Sequence, residues 1–260
     1  MTSTRPVAPD AWIAALGALP LVAQPGEAFH YGHSTDLLGL LLARIEGEPL
    51  EAVLQRRVFD PLGMRDTMFI VPEAKRARCA ASTGYDGSDR PAPRRGGPGG
   101  SFVEDRPAGW TYVSGGQGLW STVDDYLAFA RTFLGENPIL RPETLALMTS
   151  DQLTREQRLG ATLFGMPLFG AGHGYGCGLA VVIDADKAAP SLCGGHVGSV
   201  GWPGAFGGWW QADPVDGSVM ILLTHAMVEP GQLAAGLGLG GYVARAAFHR
   251  AASDALRPLS

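Results

Sequence analysis

Residues 25–69 read PGEAFHYGHSTDLLGLLLARIEGEPLEAVLQRRVFDPLGMRDTMF, and their punctuation sets the helical half of the fold. Pro25-Gly26-Glu27 is turn chemistry. Behind it, apolar residues at 37, 38, 41, 42 and 45 recur at helical spacing. Ser34 or Thr35 can cap the start of that helix, and Gly47 closes it. A second helix is expected from Pro49 through about Phe59, with Pro61 beyond its end. Tyr31 falls at the entry to the first helix, facing whatever site adjoins that turn. Judged by residue type alone, such a tyrosine is more often a half-buried packing residue than a catalyst.

Working outward, residues 86–109 are rich in Gly, Pro and Arg and read as a long surface loop. Helical pattern returns in STVDDYLAFARTFLG, where Ser121 or Thr122 with Asp124 or Asp125 resembles a capping box and Gly135 fits the C-terminal cap. Pro142 opens a short helix through Met148. The chain then changes period. Residues 174–184, 207–213 and 218–225 read as strands, with Asp213-Pro214 and Asp216-Gly217 marking a hairpin. A helix from about Gln232 to Ala255 ends the chain, weakened in its first half by glycines. The expectation is an α+β arrangement: residues 1–173 a mostly helical lobe carrying Tyr31, residues 174–260 an antiparallel sheet with a C-terminal helix.

Composition excludes several classes. Of 260 residues, 46% are apolar and 17% charged, with a formal net charge of −5, so a concentrated basic face for nucleic acid is not expected. No apolar run is long enough to span a membrane, and the N-terminus does not read as a secretory signal, so a cytoplasmic location is expected. Cys79, Cys177 and Cys193 are odd in number and lack Cys-x-x-Cys spacing, which favours reduced thiols over disulfides or zinc. No G-x-S-x-G, His-Glu-x-x-His or P-loop occurs, and neither a cofactor nor a metal is called for.

Three blocks together resemble the β-lactamase, penicillin-binding protein and family VIII carboxylesterase clan. The first is the Tyr31 segment, ending in Pro61-Leu62-Gly63-Met64-Arg65-Asp66-Thr67. The second is SGGQGLWSTVDD, residues 114–125, and the third is GWPGAFGGWWQADP, residues 201–214, in the esterase variant where Trp-x-Gly replaces Lys-Thr-Gly. The resemblance implies a β-lactamase/transpeptidase-like fold and a Ser-Lys-Tyr mechanism passing through an acyl-enzyme. On that basis Tyr31 would be the general base and proton shuttle. His33, Trp202 and Gly204 would contact substrate, and the Ala205 N–H would supply half of an oxyanion hole. A rival alignment places His196-Val197-Gly198 at the third motif; the spacing to Asp213-Pro214 fits Trp202 better. The implied substrate is a small ester, amide or lactam, with neutral esters favoured because no lysine stands in the third motif. The aromatic group Trp202, Phe206, Trp209 and Trp210 hints at an apolar pocket, with about half expected to serve the core instead.

One motif of that clan has no match. Only Lys75 and Lys187 are lysines; Pro72 and Asp184 stand three residues before them, so the 260 residues hold no Ser-x-x-Lys. The expectation is therefore an N-terminally truncated domain, lacking its leading strands and catalytic helix and inactive alone. It would cover its sheet edge by dimerising or by pairing with a separate N-terminal fragment. The alternative is a non-catalytic binding or partner subunit that keeps the acyl pocket.

Overall fold

The computed structural model describes residues 8–93, 114–136, 139–163 and 165–256. The chain divides into two compact units: Met1–Glu27, Tyr31–Ala80 and Arg95–Asp125 form the first, and Ala28–His30, Ala81–Arg94 and Tyr126–Ser260 the second.

The first unit is helical. Helix α1 (Pro9–Gly17), which the sequence reading did not anticipate, starts with Pro9 in its first turn, where the missing N–H costs nothing. Asp10 pairs with Arg44 of α2 (Ser34–Glu46). Gly47 ends α2 in the left-handed region at φ 68°, as its position suggested. The next helix departs from expectation. After α3 (Leu50–Leu54) the chain winds through a π-helical turn, Gln55–Phe59, and a last turn, Asp60–Leu62, that contains Pro61. The wider winding carries the chain past a proline that a regular α-helix would reject. Leu40, Leu50, Val53, Phe59, Met64 and Phe69 form the buried apolar set of this unit.

The second unit is built on an antiparallel sheet of β3 (His173–Tyr175), β4 (Ala180–Val182), β5 (Val200–Pro203), β6 (Trp209–Asp213) and β7 (Ser218–Leu222), each strand beside its sequence neighbour. A separate hairpin joins β1 (Thr83–Tyr85) to β2 (Pro91–Pro93), so three residues of the expected 86–109 loop are strand; residues 94–109 lie outside the described set. The single strand expected at 174–184 is instead two. Gly176 and Gly178 break it, the latter at φ 91°, and the Gly176 N–H donates to the Leu179 carbonyl. A side chain at 176 would meet the Met148 carbonyl at 1.9 Å, so only glycine fits the close approach. The terminal helix also splits: Pro230–Ala234, then a turn through Gly236 and Gly238, both with positive φ, then α6 (Gly240–Leu256). Numbering in chain order, α4 is Val123–Ala130 and α5 is Pro142–Met148, the latter with the bounds its sequence implied.

The sheet is covered on both faces, which explains why β6 is buried at every residue rather than at alternate ones. On one face Trp210 meets Tyr126 at 5.7 Å, Phe129 at 5.9 Å and Phe133 at 5.2 Å between ring centroids, joined by Val181, Val200 and Ala212. On the other, Trp209 lies against Phe248 and His249 of α6 and donates its indole N–H to the Leu192 carbonyl at 3.0 Å. Each tryptophan removes roughly 150–250 Å² from water, a gross transfer gain of roughly 4–6 kcal/mol. Trp209 and Trp210 are therefore core residues, the half of the aromatic group expected to be so.

Candidate functional site

Tyr31 is about half exposed, at 47%, in the turn that leads into α2. By contrast Tyr126 is buried in the second unit, and burial pushes its phenol up to about 12. Two residues beyond Tyr31, His33 forms the N-terminal boundary of α2. Its side chain is 71% exposed, and its Nδ1 lies 3.0 Å from Asp36 Oδ2. The His33 ring also meets Trp12 of α1 edge-on at 6.0 Å.

Asp36 is the residue that fixes this turn. It is 5% exposed, and it accepts from the Ser114 hydroxyl and, at 3.2 Å, from the Gly116 N–H. Its other oxygen holds His33. The Ser114-Gly115-Gly116 segment is thereby clamped to the first turn of α2. Its glycines are a steric requirement: a side chain at Gly115 would stand 2.2 Å from the Thr35 carbonyl, and one at Gly39 would stand 2.7 Å from Leu50 and 3.0 Å from the Gly115 Cα.

Other polar residues of the first two blocks also meet. Thr122, capping α4, accepts from the Asp125 N–H at 3.3 Å. Asp125 does not complete the capping box; its carboxyl reaches back to accept from the Asp66 N–H at 2.7 Å and the Thr67 hydroxyl at 2.8 Å. Thr67 also bonds the Ser121 hydroxyl at 2.8 Å, and Met68 and Trp120 exchange both backbone hydrogen bonds, at 3.0 and 2.8 Å. Arg78 and Lys75 beside Asp66 hold its carboxyl well below the usual range. The first two blocks, far apart in sequence, are thus interlocked in the first unit.

The third block lies in the second unit. Trp202 is in β5, paired across from Trp210, and its ring meets Tyr175 edge-on at 5.4 Å. Gly204 donates to the Gly208 carbonyl at 2.7 Å and its own carbonyl accepts from Gly207, forming the tight turn to β6. Ala205 is exposed in that turn, and its N–H takes no hydrogen-bond partner among the described residues. His196 is in the loop before β5 rather than on a strand, with Nδ1 2.8 Å from Asp213 Oδ2. Tyr31 and His33 thus belong to the first unit, and Trp202, Gly204 and Ala205 to the second. Sequence reading missed the roles of Asp36, Ser114 and Asp125, because their partners are 58 to 80 residues away.

All three cysteines are free, and burial pushes the Cys193 thiol far up, so it is chemically quiet. No described helix is long and apolar enough to cross a membrane.

Comparison with known proteins resolves the family. The beta-lactamase family model matches residues 2–240. The chain belongs to the beta-lactamase family. The chain is 42% identical over 223 residues to protein Rv1367c of Mycobacterium tuberculosis, covering 84% of this chain and 54% of that protein. To esterase EstB of Burkholderia gladioli it is 34% identical over 225 residues, covering 82% of this chain and 54% of EstB. The chain therefore spans about half the length of the curated relatives it matches. Among solved structures, that of EstCE1, a hydrolase with promiscuous acyltransferase activity, superposes with a TM-score of 0.72 at 27% identity, over 93% of this chain and 61% of that one. The simvastatin synthase LovD of Aspergillus terreus shares the fold, with a TM-score of 0.65 at 20% identity over 96% of this chain and 67% of that one. The α+β, β-lactamase/transpeptidase-like fold expected from the three blocks is the fold found.

Proposed function

We propose that this chain carries the tyrosine and oxyanion-turn portion of an esterase-type serine hydrolase, acting on small esters, amides or lactams through an acyl-enzyme. The observation that carries the reading is the mount of Tyr31: a half-exposed phenol on a turn clamped by Asp36, Ser114 and two sterically required glycines. A general base must be held within hydrogen-bond reach of the proton it takes, and a rigid mount meets that need. In the proposed roles Tyr31 takes the nucleophile's proton and returns it to the leaving group. In the second unit Trp202 and Gly204 bind the acyl group and the Ala205 N–H stabilises the oxyanion, and in the first His33 contacts substrate. The esterase likeness of EstB and the Trp-Pro-Gly form of the third block favour neutral esters over β-lactams.

The nucleophile and its lysine must then come from outside these 260 residues, since no Ser-x-x-Lys lies within them. Losing one member of a cooperating catalytic set costs several orders of magnitude in rate elsewhere. The purified chain should give no hydrolysis of p-nitrophenyl acetate or butyrate above the background of its Tyr31→Phe variant. Turnover abolished by Tyr31→Phe would mean that a nucleophile within the chain serves, and the incomplete-site reading would fall.

A further inference from the structure

One cluster outside the proposed hydrolytic site brings together groups that no sequence motif links. His196, in the loop before β5, Asp213, the last residue of β6, and Asp216, in the β6–β7 turn, offer one ligand atom each, all within 4.8 Å of one another. Asp213 is 1% exposed and already ordered. One of its oxygens accepts from the Val215 N–H at 3.0 Å, and the other accepts from the His196 N–H at 2.9 Å and faces its Nδ1 at 2.8 Å. Asp216 is fixed by the Ser218 N–H at 2.9 Å. A second observation points the same way. The Ser199 side chain is fully buried and its hydroxyl lies outside hydrogen-bonding geometry with any neighbour. It is directed at the Asp213 carboxyl, standing 2.7 Å from the β position of Gly195 while Asp213 Oδ2 stands 2.5 Å from that position. A side chain at Gly195, whose φ is 88°, would collide with the Asp213 carboxyl and the Ser199 hydroxyl, so only glycine fits beside them. Metal-binding carboxyls characteristically have such outer polar support.

We infer that His196, Asp213 and Asp216 form a divalent-cation site, and that a borderline ion such as Zn²⁺ fits it. One imidazole nitrogen and two carboxyl oxygens suit Zn²⁺ better than Ca²⁺ or Mg²⁺, which require more oxygen ligands. Three protein ligands leave a fourth tetrahedral position for water. Metal binding needs the imidazole nitrogen free of its proton, so binding competes with protonation and weakens as pH falls. The site adjoins the β5–β7 strands, and an ion there would tie the β6–β7 turn to the loop that precedes Trp202.

The test is calorimetric titration of the chelator-stripped chain with ZnCl₂ at pH 7.5, beside His196→Ala, Asp216→Asn and, as a control for the exposed thiol, Cys177→Ser. His196 and Asp216 are exposed, so their variants should keep the fold, which circular dichroism checks. One equivalent should bind to wild type and to Cys177→Ser alike, with affinity lowered at least tenfold in each of the other two variants. Wild-type affinity should also fall between pH 7.5 and 5.5. No binding to wild type, or binding weakened less than threefold by either ligand variant, overturns the site.

Discussion

Asp36 illustrates how much rests on a single buried side chain. Its carboxyl satisfies a hydroxyl and a backbone N–H that lie 78 and 80 residues downstream, and it orients His33 on the exposed side. Asp36→Ala leaves the buried Ser114 hydroxyl without this acceptor, which costs about 1–3 kcal/mol, whereas the Gly116 N–H is exposed and keeps the Ser114 oxygen. The expected result is a urea midpoint lowered by that order with the m-value unchanged; a change under about 0.5 kcal/mol would show that the clamp is not what holds the turn. A pH effect belongs to His249 of α6. Burial, and then Arg250, lower its pKa from the ordinary 6.5. The folded chain therefore takes up a proton less readily than the unfolded one. Stability is intact above about pH 6.5 and declines as pH drops below it. His249→Phe should flatten the dependence of Tm on pH between 7 and 5, and an unchanged slope would assign the effect elsewhere. At this scale the sequence was legible only in part. Tyr31 and Trp202 stood out through resemblance, whereas nothing local announces that Asp36 binds Ser114 and Gly116, or that Asp213 binds His196.

Among the elements, glycine explains most of the differences between expectation and structure. Period located α2, α4 and α5 well, because apolar stripes are local signals, and Gly47 ends α2 where expected; its N-cap, however, is His33 without a side-chain bond, not Ser34 or Thr35. The breaks at Gly176–Gly178 and Gly236–Gly238 were less visible, since a short apolar run such as LAVVID fits one strand or the second half of a hairpin equally well. The proline at 61 misled in the other direction, because a π-turn absorbs it. Gly115 gives the sharpest test. Gly115→Ala places a methyl group 2.2 Å from a backbone carbonyl in the first turn of α2, and neither partner is a flexible side chain. We expect a loss of about 1–3 kcal/mol, in the range of overpacked cores, together with weaker protection of the α2 amides in hydrogen exchange. Full stability in that variant would mean the segment can slide away from α2, and that the mount of Tyr31 is softer than its glycines imply.

The whole molecule leaves two surfaces that a stable protein would cover. Leu37, Leu38, Leu41 and Ile45 on α2 are each more than 40% exposed along one helix, and β7 ends the five-stranded sheet with no further strand paired among the described residues. Contiguous apolar patches and open strand edges favour association. The chain alone is accordingly expected to self-associate at micromolar concentration in light scattering, and Leu38→Glu with Leu41→Glu to reduce that association without lowering Tm. A monodisperse wild-type monomer would remove this proposal. The central claim is more directly tested by supplying what the sequence lacks. A fragment drawn from the part of EstB that this chain does not match, chosen to contain a Ser-x-x-Lys motif, would be co-expressed with the 260-residue chain and the pair assayed on p-nitrophenyl butyrate. The account predicts activity that neither piece has alone, and that Tyr31→Phe lowers at least a hundredfold. Equal activity with and without Tyr31→Phe would contradict it, since Tyr31 would then not be the base that the mount is built to hold.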